Sequence, residues 1–297
     1  MEWVAGVPSR PALYAYLPPR ERANGGAVLV CLGGGYAGQA FRKEGIEAAD
    51  WFCARGVAAF VLLYRSGPPA SRAPGPWEDA QRAIRLIRSR AAEWRVDPAK
   101  TGVVGFSAGG HLASSLATRF AAADAAAADP LERFSSRPDF AVLVDPVISL
   151  RYATHAGSRL NLLGPAPSEE AVRTWSTDEQ VTADTPPTLL VHASDDASVL
   201  PQNSLLFYQA LLQRRAPAAL PVYERGGMDS ACFAAMRRRI AGRSCSSPGC
   251  VRGASCGEPR GGVAPAAKRS QTVPSSCWES SSQASSRRAI SPARASI

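Results

Sequence analysis

The sequence predicts an α/β fold in which a mostly parallel sheet carries helices on both faces and is incomplete at its C-terminal end. Three observations lead there. Short apolar runs end in glycine or proline, amphipathic stretches of ten to twenty residues alternate with them, and the pattern stops after residue 227 of 297. Strands buried on both faces read as continuous apolar runs rather than as alternation, and strand–helix alternation implies parallel pairing through crossover helices.

The elements follow in order. Residues 27–32 (AVLVCL) enter three glycines, 33–35, and read as a buried strand. Residues 57–64 (VAAFVLLY) repeat the pattern and stop at Ser66-Gly67-Pro68-Pro69. Between the two, residues 43–55 suit a helix closed by Gly56. Over residues 76–94 the apolar positions Ala80, Ala83, Ile84, Ile87, Ala91 and Trp94 recur at three and four, one helical face, with Arg82, Arg85, Arg88 and Arg90 mostly off it. Residues 101–106 (TGVVGF) predict a strand and 108–120 a helix. Strands follow at 139–144 and 188–193, a helix at 201–214, and a last strand at 219–224. One domain therefore spans residues 1–227.

Charge and cysteine divide at the same boundary. Of 34 Lys and Arg, eleven lie in residues 228–297, against three of the 25 acids (Asp229, Glu258, Glu279), which leaves the body with 23 bases and 22 acids. The formal +9 is thus a property of the tail, and a nucleic-acid role would rest on that segment alone. Only Cys31 and Cys53 are in the body; the tail holds Cys232, Cys245, Cys250, Cys256 and Cys277, with no His beside them and no zinc-ligand spacing. The N-terminus has no basic segment followed by an apolar run, so the expectation is a cytoplasmic protein without a membrane partner; a mis-assigned start would leave room for export.

The chemistry is concentrated at strand ends. Gly105-Phe106-Ser107-Ala108-Gly109 matches G-x-S-x-G between a strand and a helix. Such a turn lifts a serine hydroxyl above the sheet and aims the next amide, that of Ala108, at a developing oxyanion. Without its context the pentapeptide would be an ordinary small-residue turn. Leu32-Gly33-Gly34-Gly35-Tyr36 fits a loop of bare backbone facing the same oxygen, with Leu32 where a histidine often stands. Gly33, Gly35 and Gly38 also satisfy the dinucleotide G-x-G-x-x-G, but the next strand ends at Leu63-Tyr64-Arg65-Ser66 without the acid that the fingerprint needs. Past a late strand, Asp195-Asp196 precede Val199; Asp196 is the expected triad carboxylate and Asp195 the fallback, against the plain reading of a loop carboxylate.

Together VLVCLGGGYAG, EDAQRAIRLIRSRAAEWRVDPAKTGVVGFSAGGHLAS, PDFAVLVDPVIS and HASDDASVLPQNSLLFYQAL resemble the acetylxylan esterase-like branch of the α/β-hydrolase family over about residues 12–227. The resemblance implies hydrolysis of short acyl esters, often acetyl groups on plant polysaccharides or their fragments, without metal or cofactor. Ser107 would be the nucleophile, Asp196 the acid, and the amides of Gly34, Gly35 and Ala108 the oxyanion hole. The partner implied is a small-molecule or oligosaccharide ester; the oligomeric state is left open, and a peptidase or lipase of the same fold stays as an alternative.

One triad member departs from the family pattern. Such enzymes present a histidine in a loop close to G-G-H-G-F, whereas here Arg225-Gly226-Gly227 runs into Met228. A thioether takes no proton from a serine. His111, His155 and His192 remain: one is four residues past the nucleophile on its helix, one is in a loop, and one is in or beside a core strand, which suits structural roles. Residues 228–297 then contain no leucine and lose periodicity beyond a short helical stretch near 231–241, a composition that predicts disorder. The segment reads as an out-of-frame translation. Met228 to Phe233 can be encoded ATG GAT TCG GCC TGT TTC; after a glycine codon ending in C, the frame one base earlier spells CAT GGA TTC GGC CTG, or His-Gly-Phe-Gly-Leu. Gene sequence across codons 225–233 decides this. The competing expectation is a basic tail on a non-catalytic binding protein of the same fold.

Overall fold

The computed structural model describes residues 11–227 and 293–296. Strand β1 (Ala12–Tyr16) is followed by β2 (Ala27–Cys31), a π-helical turn at Phe41–Ile46, α1 (Glu47–Cys53) and β3 (Ala58–Leu63). Next come α2 (Gly75–Ser89), the short α3 (Ala91–Trp94), β4 (Thr101–Phe106), α4 (Ala108–Thr118) and β5 (Ala141–Val144). Then α5 (Ala156–Leu163), α6 (Glu169–Trp175), β6 (Thr188–Ala193), α7 (Gln202–Gln213), β7 (Ala218–Ala219), β8 (Val222–Tyr223) and β9 (Ala293–Ser296) complete the order.

The nine strands form one sheet in the order β7-β6-β5-β4-β2-β3-β1-β9, with β8 also on β6. Strands β2 to β8 pair in parallel, while β1 runs antiparallel to β3 with Ala12 opposite Leu63. The expected parallel core is therefore present, edged by an antiparallel strand that the sequence did not reveal. Ala293–Ser296 also pairs antiparallel to β1, a strand not expected in that low-complexity segment. The remaining tail expectations, including a helix near 231–241, lie outside the described residues.

Alternation along the strands builds two cores. Leu29, Cys31, Phe60, Leu62 and Val103 point to one face, where Ala80, Ala83, Ile84 and Ile87 of α2, Leu112 and Leu116 of α4, and Phe207 and Leu211 of α7 cover them. Val28, Val30, Val61, Val104, Phe106 and Val191 point to the other, against Ala48, Ala49, Trp51 and Cys53 of α1. Each Val, Leu, Ile or Phe among these contributes roughly 1.5–3 kcal/mol by leaving water.

Three departures have local causes. The helix expected over 43–55 is regular only from Glu47, because the chain first makes the wider π turn. The helix expected over 76–94 breaks at Arg90, whose φ of −106° is off the helical value. The last strand, expected as 219–224, splits into β7 and β8 around Pro221, which has no N–H to donate; its carbonyl still accepts from the His192 amide at 3.3 Å. Helices α5 and α6, of 8 and 7 residues, were not anticipated. Among the described residues no helix is long and apolar enough to cross a membrane.

Candidate active site

β4 runs straight into Ser107, which adopts φ 52° and ψ −119°, a strained conformation for a residue with a side chain. Close packing explains the flanking glycines. A Cβ on Gly105 would lie 2.2 Å from the Gly109 carbonyl oxygen, and one on Gly109 would lie 2.2 Å from that of Cys31. The Ser107 amide donates to Val144 O (3.1 Å), while its carbonyl accepts from His111 N (3.2 Å) and Val147 N (3.0 Å). The turn is thus locked to β5 and to α4. Ser107 Oγ is buried and has no hydrogen-bond partner among the described residues.

The triple-glycine loop lies against this turn. A Cβ on Gly33 would sit 3.0 Å from Ser107 Cβ. Gly34 (φ 135°) needs glycine, since a Cβ there would meet Gly38 O at 2.2 Å. The Gly33 amide is already used: it donates to Glu44 Oε2 at 2.5 Å, a carboxylate delivered by the π turn. No loop or side-chain acceptor takes the amides of Gly34, Gly35 or Ala108 among the described residues. Ala108 opens α4, so its amide also carries the partial positive charge of a helix N-terminus.

Tyr36 and His111 join the two halves. Tyr36 Oη lies 2.8 Å from His111 Nδ1, and His111 Nε2 lies 2.7 Å from Trp175 O. A carbonyl only accepts, so the ring proton is on Nε2 and Nδ1 accepts from the tyrosine hydroxyl. His111 is therefore structural, as its helix position suggested. Burial, which outweighs the hydrogen bond to Trp175, lowers its pKa to about 4. Burial also lowers those of His155 and His192.

Unfolded histidines take up protons near pH 6.5, whereas buried His111 does so only near 4. Between these values the unfolded state binds more protons, so stability is complete above about 6.5 and is lost as pH falls toward 4. His111 alone accounts for a loss on the order of 3 kcal/mol. Thermal unfolding followed from pH 7 to pH 4 is expected to show a falling midpoint, and a His111→Gln variant a shallower fall; a flat profile would refute the assignment.

The two candidate acids are held differently. Exposed Asp195 accepts from Gly226 N (2.9 Å) and Gly227 N (2.8 Å), bonds that hold its pKa down and tie the end of the body to the turn after β6. Asp196 is buried; Oδ1 accepts from Ser198 N (2.8 Å) and Val199 N (2.9 Å), whereas Oδ2 has no hydrogen-bond partner among the described residues. His192 Nε2 is 3.7 Å from that oxygen but lies 2.8 Å from Val199 O, to which it donates.

Asp145 (φ 44°), His192 and Asp196 bring three potential ligand atoms within 4.8 Å of one another. They do not suit a metal. Nε2 carries a proton and Nδ1 accepts from Ser204 Oγ at 2.7 Å, so the imidazole has no lone pair left for an ion.

Three site residues escaped the sequence reading. Glu44 reaches Gly33 through the π turn. Asn161 Nδ2 donates to Gly35 O at 2.9 Å across 126 positions. His155, expected in a loop with a structural role, caps α5 and places its ring near Gly35: a Cβ there would be 3.6 Å from His155 Cε1.

Comparison with known proteins gives the family and the fold. The BD-FAE family model matches residues 13–211. The endo-1,4-beta-xylanase B of Butyrivibrio fibrisolvens is 38% identical over 219 residues, covering 73% of this chain and 34% of that protein. The acetylxylan esterase of Xylanibacter ruminicola is 31% identical over 219 residues, covering 72% of this chain and 42% of that protein. The chain thus spans well under half the length of either relative. The crystal structure of an acetyl ester-xyloside bifunctional hydrolase from Caldicellulosiruptor lactoaceticus superposes with a TM-score of 0.73 at 38% identity, covering 78% of this chain and 89% of that one.

Proposed function

This chain belongs to the BD-FAE family and has the α/β-hydrolase fold, and on that premise we propose that it is built as a serine esterase for short acyl, chiefly acetyl, esters of carbohydrates. The observation that carries the reading is the pairing of a strained Ser107 with two glycine amides and the Ala108 amide that no other acceptor uses. Ser107 Oγ attacks the ester carbonyl, a base removes its proton, and the negative oxygen rests on the amides of Gly34, Gly35 and Ala108. Collapse expels the sugar alkoxide, which takes back the proton and leaves an acyl-serine. Water, deprotonated by the same base, attacks the acyl carbon, and the carboxylic acid leaves as Ser107 regains its proton. Asp196 orients and stabilises the protonated base through Oδ2.

That base is the histidine that Met228 replaces. We infer that residues 228–297 are translated out of frame, so the chain as written holds an ester without efficient turnover. Met228 favours this second reading, of a binding protein with an esterase's site. The substrate class is tested on the frame-restored chain. It is expected to release acetate from acetylated xylan and to prefer acetyl over long-chain esters, with release abolished by Ser107→Ala. A folded, frame-restored chain that cleaves no acetyl ester would overturn the proposal.

A further inference from the structure

His155 is a partly buried histidine beside the oxyanion loop, with no part in the chemistry above. Its position is set by α5. Nδ1 accepts from the Ser158 amide at 3.1 Å and bonds Ser158 Oγ at 2.9 Å, capping the helix. A backbone N–H can only donate, so Nδ1 offers its lone pair and the ring proton resides on Nε2. Partial burial favours the neutral ring, and the charge that acts against this is Asp196, across the site.

The helix carrying this ring is fastened to the oxyanion loop. Asn161 holds the Gly35 carbonyl from one side, and its own carbonyl accepts from Ser71 Oγ at 2.8 Å and Arg72 Nη1 at 2.8 Å. Arg72 Nη1 also donates to Leu160 O. His155 lies on Gly35 from the other end of the same helix. The ring is therefore a rigid wall, not a mobile side chain, and it is no base: its one lone pair is committed to the cap.

We propose that His155 is a specificity-determining residue whose Nε2–H donates to an oxygen on the alcohol side of the bound ester, a ring or neighbouring hydroxyl oxygen of an acylated sugar. Elimination selects that side. The carbonyl oxygen is taken by three amides, and a short acyl chain offers no acceptor, which leaves the alcohol portion as the part of the substrate that can answer a fixed donor. The inference rests on the esterase reading above, and the test separates the two.

A chain without its base is expected to bind an ester and turn it over only slowly, so binding is measured on the protein as it exists. With three histidines, the imidazole ¹⁵N spectrum contains three rings. The chain is titrated with methyl 2-O-acetylxyloside and with butyl acetate, which has no sugar oxygens. His155 Nε2 is expected to shift with the xyloside and not with butyl acetate, while His111 and His192 stay unmoved. His155→Asn keeps a helix-capping oxygen and removes the distal donor; it is expected to weaken xyloside binding about threefold to tenfold and leave butyl acetate unchanged. Xyloside-induced shifts at the Gly34 and Gly35 amides with a silent His155 and an unaffected variant would overturn this inference and leave the esterase reading standing. No shift at those amides with either ester would overturn both.

Discussion

Met228→His is expected to raise acetyl-ester turnover by about 10⁴- to 10⁶-fold over the chain as written, the scale on which removing a single member of a serine triad acts. On the proposed triad, two atoms are expected to meet that side chain. Ser107 Oγ and Asp196 Oδ2 are buried without hydrogen-bond partners among the described residues, and an imidazole between them would accept from one and donate to the other. Asp195 holds the amides of Gly226 and Gly227, the last described residues before position 228. Initial rates with 4-nitrophenyl acetate check the gain, and Ser107→Ala in the same background must abolish it. A Met228→His chain that folds and stays as slow as its parent would mean that Asp196 and Ser107 do not form one unit.

In that His-bearing background, Asp196→Asn is expected to lower kcat by about 10⁴-fold, since an amide no longer favours the tautomer that leaves a lone pair facing Ser107. Asp195→Asn should cost less than about tenfold, because its oxygen still accepts the two glycine amides even without charge. The contrast comes from burial. Asp196 is 2% exposed and keeps an oxygen free, whereas Asp195 is exposed and already engaged. Steady-state kinetics on both variants, with far-UV circular dichroism to confirm folding, ranks them. The reverse ranking would assign the acid to Asp195.

Much of this arrangement was legible before any coordinates. The apolar runs located the five central parallel strands, β2 to β6, to within two residues, because burial on both faces favours apolar side chains there. G-x-S-x-G and the middle of the triple glycine were readable because a Cβ on Gly105, Gly109 or Gly34 would lie 2.2 Å from a backbone oxygen. The D-x-x-V spacing pointed to Asp196, whose Oδ1 binds the Val199 amide. What stayed hidden depends on distance along the chain. Asn161 meets Gly35 over 126 positions, and a two-turn helix such as α5 carries too short a period to register. The antiparallel edge strand β1 was hidden because its pairing partner, not its composition, sets its direction. Pro221 did carry a signal, a missing donor in the middle of a strand, and that signal accounts for the split between β7 and β8.

The crowding around Gly34, Gly105 and Gly109 has an evolutionary consequence. Steric exclusion at these positions acts on folding, whether or not the serine between them ever reacts. A gene copy that loses its proton acceptor is expected to keep its glycine signature for as long as the protein must fold, while the side chain at position 107, freed from chemistry and with no hydrogen bond of its own among the described residues, is expected to drift first. In decaying members of this lineage, the intact pentapeptide frame therefore testifies to a selected shape, and the residue at its centre to a retained reaction.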